Sequence, residues 1–190
     1  MNGYDFDKTI FHGNSVRRFC IFCCVRLPYL WLLLPELLLA VILYGLKIIG
    51  KDSFLRMLEV FVLFVPCKKR FVNKFWDKNF KHVKSWYLQV KQPDDLVISA
   101  SPAYLIEEIC SRLGVACIAS PCAANGLVCG KHCYGEEKVR YYKQRFGETP
   151  LQAFYSDSLS DLPMLQLAQR GYLVQGEKIT LLLQNGEKAE

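Results

Sequence analysis

Asp5 and Asp7, one residue apart and followed by Thr9, place two carboxyl groups and a hydroxyl at the start of the chain. A carboxylate can attack phosphorus to form an acyl phosphate. A second carboxyl group can protonate the leaving alcohol and later deprotonate water. Ser99 ends the apolar run Leu96-Val97-Ile98, where a hydroxyl beside the N–H groups of a helix N-terminus can hold a phosphate oxygen. Lys138 lies early in a helical stretch beginning near Gly135, and a fixed ammonium there neutralises a phosphate and a nucleophilic carboxylate; Lys143, well inside the same stretch, is a weaker candidate. Asp157 and Asp161, four apart in Tyr155-Ser156-Asp157-Ser158-Leu159-Ser160-Asp161, suit an oxygen-ligated cation. Mg²⁺ typically takes one or two carboxylates, substrate phosphate and water. Singly, each group has a plainer alternative: a surface-loop Asp, a turn Ser, an exposed helical Lys, an acidic helix cap.

The elements that must position these residues are legible in the pattern. Gly3 to Phe6, too short to establish a strand by itself, leads into the polar loop Asp7-Lys8-Thr9. From Ser15 to about Lys91 the pattern is helical. Leu27 to Ile49 is the most apolar part and has the length of a membrane span. Pro28, Pro35 and Glu36 oppose that reading and fit two shorter packed helices equally. Phe54 to Val65 is another apolar helix, ended by Pro66, and Lys68 to Val90 a basic amphipathic one. Beyond Pro93 the texture changes. Asp95 to Ser99 reads as a buried strand. Ser101 and Pro102 open a helix as N-cap and first turn, which stops at Gly114. Val115–Ala119, Leu151–Tyr155 and Gly171–Val174 read as strands, and Tyr134–Phe146 and Ser160–Ala168 as helices. Asn125-Gly126 marks a turn within a hairpin, and residues 186–190 a frayed tail. Strand–helix alternation over this half predicts an α/β fold with a parallel sheet. In such sheets ligands bind at the carboxyl ends of the strands, and all four polar groups follow strands.

Composition bounds the rest. With 52% apolar and 22% charged residues, disorder is excluded. The net charge of +6 includes a basic, aromatic-rich stretch from Lys68 to Trp86. A solvated helix face explains that stretch better than a nucleic-acid face, and attraction to phosphates or lipid head groups is a third reading. Nine cysteines, with neither a basic lead nor an apolar core in the first residues, point to reduced thiols and a cytoplasmic setting. Cys20, Cys23 and Cys24, and Cys122, Cys129, His132 and Cys133, lack the paired spacing of common zinc sites.

The order and spacing of the polar groups are more specific than any one of them, and here the chain resembles the haloacid dehalogenase-like (HAD) hydrolase superfamily. Asp5, Asp7 and Thr9 match its Asp-x-Asp-x-Thr motif. Ser99 in LVISAS matches the second motif, Lys138 in YGEEKV the third, and Asp157 and Asp161 in YSDSLSDLPML the acidic fourth. Within the superfamily the wording is most similar to subfamily IB, which includes phosphoserine phosphatases and C-type phosphatidylglycerophosphatases. The resemblance implies a Rossmann-like core of residues 1–14 and 92–190 with an inserted helical (type C1) cap at 15–91. It implies Asp5 as nucleophile and Asp7 as general acid/base. Mg²⁺ would be held by Asp5, the Asp7 carbonyl and Asp157. Ser99 and Lys138 would grip the phosphoryl group, Thr9 would shape the first loop, and Asp161 would orient Lys138 or a metal-bound water.

The expected function is therefore Mg²⁺-dependent hydrolysis of a phosphomonoester through an aspartyl-phosphate intermediate. The apolar cap fits either a phospholipid head-group phosphate, with contact to a membrane surface, or a small soluble phosphomonoester beneath a helical core. Phosphotransfer to an alcohol proceeds through the same intermediate. A catalytically silent membrane or protein-interaction module on the same fold is the alternative of another class, and nucleic acid is not an expected partner.

Overall fold

The computed structural model of the protein describes residues 1–188, and the side chains among them except those at positions 51, 52 and 58. Its centre is a seven-stranded sheet of order β3-β2-β1-β4-β5-β6-β7. The strands are β1 (Asn2–Tyr4), β2 (Leu96–Pro102), β3 (Ala116–Ser120), β4 (Ala153–Ser156), β5 (Arg170–Gln175), β6 (Lys178–Gln184) and β7 (Glu187–Lys188). The first five run parallel, and β6 and β7 extend the sheet antiparallel. The α/β architecture with a mostly parallel sheet expected from the sequence is the one observed.

The sheet is buried on both faces, so its strands read as apolar runs rather than alternations. Leu96, Ile98, Ile118 and Phe154 face one core with Tyr142 of α7 (Glu136–Phe146) and Met164 and Leu165 of α8 (Leu162–Leu167). Tyr4, Phe6 and Val97 face the other, with Leu105 and Ile109 of α6 (Ala103–Leu113). Register gives β1 its place despite its length. Tyr4 pairs with Tyr155 and Tyr155 with Tyr172, and the three rings stack at 4.8 and 4.6 Å. Gly3 is dictated by packing, because a Cβ there would lie 2.8 Å from the Phe154 ring.

The chain between β1 and β2 is helical: α1 (Ser15–Arg26), α2 (Leu34–Gly45), α3 (Lys51–Glu59), α4 (Lys68–Asn79) and α5 (Ser85–Val90), with 3₁₀ turns at Pro28–Leu33, Val60–Phe64 and Phe80–His82. Phe19 and Phe22 of α1 and Phe75 and Trp76 of α4 share one core with Phe6, Phe11 and Leu105. Trp76 also donates its indole N–H to the Leu105 carbonyl at 2.8 Å. By contrast α2 and α3 pack mainly on each other, with Tyr44 stacked on Phe54 at 4.5 Å.

Four local expectations give way to tertiary contacts. The helix expected over Lys68–Val90 breaks after His82, where the backbone N–H of Lys84 donates to the Ile10 carbonyl at 2.8 Å. Ser101 does not cap α6. The strand β2 runs on through Pro102, the residue that precedes the helix, because the Ser101 hydroxyl is committed elsewhere. Around Asn125-Gly126 the pairing is confined to a single antiparallel bridge, between Cys122 and Val128. In the expected tail, Glu187 and Lys188 pair with Gln184 and Leu183, while positions 189 and 190 lie outside the described residues. The strand β6 has no counterpart among the elements expected from the sequence.

Candidate active site

The strand order reverses at β1, flanked by β2 and β4, and the crevice outside the carboxyl ends of such strands is where ligands bind. Asp5 emerges there, its backbone N–H donating to the Tyr155 carbonyl at 2.8 Å. Its carboxylate is buried and doubly held. Lys138 Nζ donates to Oδ1 at 2.5 Å and Thr9 Oγ1 to Oδ2 at 3.2 Å. The Thr9 hydroxyl accepts in turn from the Asp157 N–H at 2.9 Å, so one side chain couples the turn after β1 to the turn after β4.

Lys138 comes from the first turn of α7 and is fully buried with its ammonium between two carboxylates. Its second acceptor is Asp161 Oδ2 at 2.7 Å, which also accepts from Ser156 Oγ at 2.8 Å. Burial opposes the charge on Lys138, but Asp5 and Asp161 outweigh it and hold the ammonium well above the usual lysine range. Asp5 is pushed up to about 7, chiefly by burial and also by Asp161 and Asp7, against the downward pull of Lys138. Burial likewise raises Asp7 and Asp157.

Asp7 points to a different partner set. Its Oδ1 accepts from the Ser15 N–H at 2.6 Å and its Oδ2 from Ser101 Oγ at 2.6 Å, and these bonds favour its ionised form. Ser15 is the first residue of α1, so the acidic turn is anchored at the entrance to the helical insertion. Ser99 is buried in β2 and its hydroxyl accepts from the Ser101 N–H at 3.2 Å. The structure thus gathers Asp5, Thr9, Lys138 and Asp161 into direct contact, brings Asp157 in through its backbone, and seats Asp7 beside Ser101. Ser99 adjoins Asp7 through Ser101, which bonds to both.

The sequence reading missed three contributors. Ser101 and Ser156 hold Asp7 and Asp161. The third, Lys84, is a buried lysine from the segment before α5. Its Nζ donates to the carbonyl of Lys8 at 2.7 Å and to that of Gly176 at 2.5 Å. Burial pushes Lys84 below the usual lysine range, with Glu177 and Asp157 pulling the other way. Its bond to the Lys8 carbonyl fixes a residue at φ 61°, in the left-handed region that glycine adopts without steric cost. No short-range pattern marks Lys84, Ser101 or Ser156. The signal available was a lysine at the break in an otherwise amphipathic helix.

Among the described residues, no group of three or more His, Cys, Asp or Glu side chains is arranged to hold a metal ion. A closed cage is not what Mg²⁺ needs. Asp5, Asp7 and Asp157 offer oxygen donors, the kind a hard divalent cation takes, and burial raises all three carboxyl groups. Asp5 and Asp161 both meet the Lys138 ammonium, so one carboxylate is in surplus there, a charge balance that fits a divalent cation.

A mostly parallel α/β sheet with acidic side chains and a buried lysine gathered at its switch point defines the class of protein. Within it, the chain belongs to the haloacid dehalogenase-like hydrolase family, whose profile matches residues 3–166. Among solved structures it is similar in fold to a protein of unknown function from Bordetella pertussis Tohama I, with a TM-score of 0.75 at 16% identity over 90% of this chain and 87% of that one. It is also similar to a phosphoserine phosphohydrolase-like protein from Francisella tularensis subsp. tularensis SCHU S4, with a TM-score of 0.58 at 13% identity over 90% and 86%. No curated protein matches the chain.

Proposed function

We propose that the protein is a Mg²⁺-dependent phosphatase that hydrolyses a phosphomonoester through an aspartyl-phosphate on Asp5. The observation that carries this reading is the Asp5–Lys138–Asp161 triad buried at the carboxyl edge of β1. Asp161, itself held by Ser156, fixes Lys138; Lys138 and Thr9 fix the Asp5 carboxylate. A nucleophile so held meets phosphorus without first being reoriented.

The Asp5 carboxylate attacks phosphorus, the ester P–O bond breaks, and the departing alkoxide takes the proton of Asp7. Water then attacks the acyl phosphate and gives its proton to Asp7. The second P–O bond breaks to restore Asp5 and release inorganic phosphate. Asp7 suits both halves: burial favours its protonated form while Ser101 and the Ser15 N–H stabilise its anion, the balance a general acid/base needs. Ser99 and Lys138 bind the phosphoryl oxygens. Asp5, the carbonyl of Asp7 and Asp157 would hold Mg²⁺, which when bound supplies positive charge to those oxygens.

Mg²⁺-dependent release of phosphate from an aryl phosphate is the expected activity, and Asp5→Asn should abolish it with the fold intact. Beryllium fluoride with Mg²⁺ should raise the melting temperature of the wild type and leave Asp5→Asn unmoved. Turnover by Asp5→Asn equal to wild type would rule out the covalent route. Inertness toward a panel of phosphoserine, sugar phosphates and phosphatidylglycerol phosphate, with no fluoride-induced shift, would mean a silent module on this fold.

A further inference from the structure

Among the described residues one helical segment, Pro28–Gly45, is long and apolar enough to cross a membrane, and only Leu30 and Ala40 within it are buried. Most of the large apolar side chains exposed on the described surface fall between Ile21 and Ile48, Leu32 being 81% and Leu38 61% exposed. Soluble monomers rarely leave so much contiguous apolar surface uncovered.

The two ends of this segment say how it meets a bilayer. α2 is followed by α3, which packs back along it, and the 3₁₀ turns at the two feet of this hairpin touch each other. The Tyr29 hydroxyl donates to the Phe64 carbonyl at 2.7 Å, so both feet stand on the same body. A helical hairpin with both feet on one side does not carry the chain across a membrane. It can lie in one leaflet. The flanking chemistry suits that position: Arg26 precedes the segment and Lys47 follows it, while Tyr29 and Trp31 stand near one end and Tyr44 near the other. Aromatic rings of this kind favour the head-group level, and flanking cations pair with anionic lipid. Glu36, in the first turn of α2, sits where a carboxylate complements the helix dipole near the base of the hairpin.

We propose that the α2–α3 hairpin docks the protein on an anionic lipid bilayer as a monotopic element, with the exposed face of α2 seated in the outer part of one leaflet. α1, twelve residues and therefore about 18 Å long, runs from Ser15, hydrogen-bonded to Asp7, to the foot of this hairpin. Docking thus holds the candidate site at a set height above the lipid. This inference stands independently of the phosphatase reading.

The test is flotation of the full chain with vesicles of phosphatidylcholine, with and without phosphatidylglycerol. The protein should float with the vesicles, more strongly when phosphatidylglycerol is present. Trp31 fluorescence should shift to the blue and be quenched by acyl-brominated lipid, with Trp31→Phe giving the background from the other tryptophans. Leu38→Glu/Ile42→Glu should weaken partitioning at least about tenfold while circular dichroism and aryl-phosphate turnover match wild type. Failure of wild type to float, unchanged flotation of the double variant, or absence of Trp31 quenching would each overturn the proposal. So would a solution dimer that the double variant dissociates, which would assign the face to a second copy.

Discussion

Asp5 carries a tension between its two settings. Its folded pKa is raised from 3.8 to about 7, so the folded metal-free protein binds the Asp5 proton more tightly than the unfolded chain does. The resulting stabilisation is complete below the unfolded value and is lost as pH rises through about 7. Metal-free wild type should therefore become less stable relative to Asp5→Asn between pH 5 and pH 8. At the upper end the variant should be the more stable by about 1–3 kcal/mol, or roughly 2–4 °C in melting temperature per kcal/mol. Lys138 keeps Asp161 as a partner in the variant, so its ammonium is not orphaned. Melting curves of both proteins in chelator across that pH range check the sign, and a variant less stable at pH 8 would refute it. A variant more stable at pH 8 makes Asp5 a case of stability given up for reactivity.

At the scale of elements, three segments distant in sequence meet on one ammonium. Lys84, just before α5, holds the carbonyls of Lys8 in the acidic turn and Gly176 between β5 and β6. Lys84→Met should leave two carbonyls without their donor, lower stability by about 2–4 kcal/mol, and loosen the turn that carries Asp7. Aryl-phosphate kcat should fall about tenfold or more, with Lys84→Arg a poor substitute because a forked guanidinium does not fill a point-charge site. Calorimetry together with steady-state kinetics reads both effects. Lys84 also marks the limit of what the sequence reveals. The acidic pairs, Ser99 and Lys138 were legible because short local motifs carry them. The strands β2 to β5 were legible because buried parallel strands read as apolar runs. Lys84 and Ser101 were not, since their partners lie 76 and 94 residues away and nothing local distinguishes them. The strand β6 escaped because its first residues are exposed at the sheet margin, where the pairing partner rather than the pattern makes the strand.

On the scale of the whole molecule, the helical insertion and the sheet do not have separate interiors. The rings of α1 and α4 interlock with those of the acidic turn, Phe75 meeting Trp76 at 4.7 Å and Trp76 meeting Phe6 at 5.8 Å and Phe11 at 5.4 Å. Thermal unfolding should accordingly be one cooperative transition, with calorimetric and van't Hoff enthalpies equal. A separate early transition spanning residues 15–91 would contradict it. Among the described helices of the insertion, α2 and α3 pack mainly on each other and stand outside this common interior. Exchange of amide hydrogens should be faster there than in α1 or α4.

That shared aromatic interior has a consequence for lineage and engineering. Recombination between relatives cannot swap the segment from 15 to 91 as a cassette, because the incoming helices would bring rings shaped for another turn and leave Phe6 and Phe11 facing mismatched neighbours. The α2–α3 hairpin is the opposite case. It meets the rest of the fold at its two feet and through the last turn of α3, where Arg56 and Glu59 bond to Gly130 and Val128, so α2 and the first turns of α3 are the part a descendant could shorten, lengthen or recast while the chemistry beneath went on undisturbed.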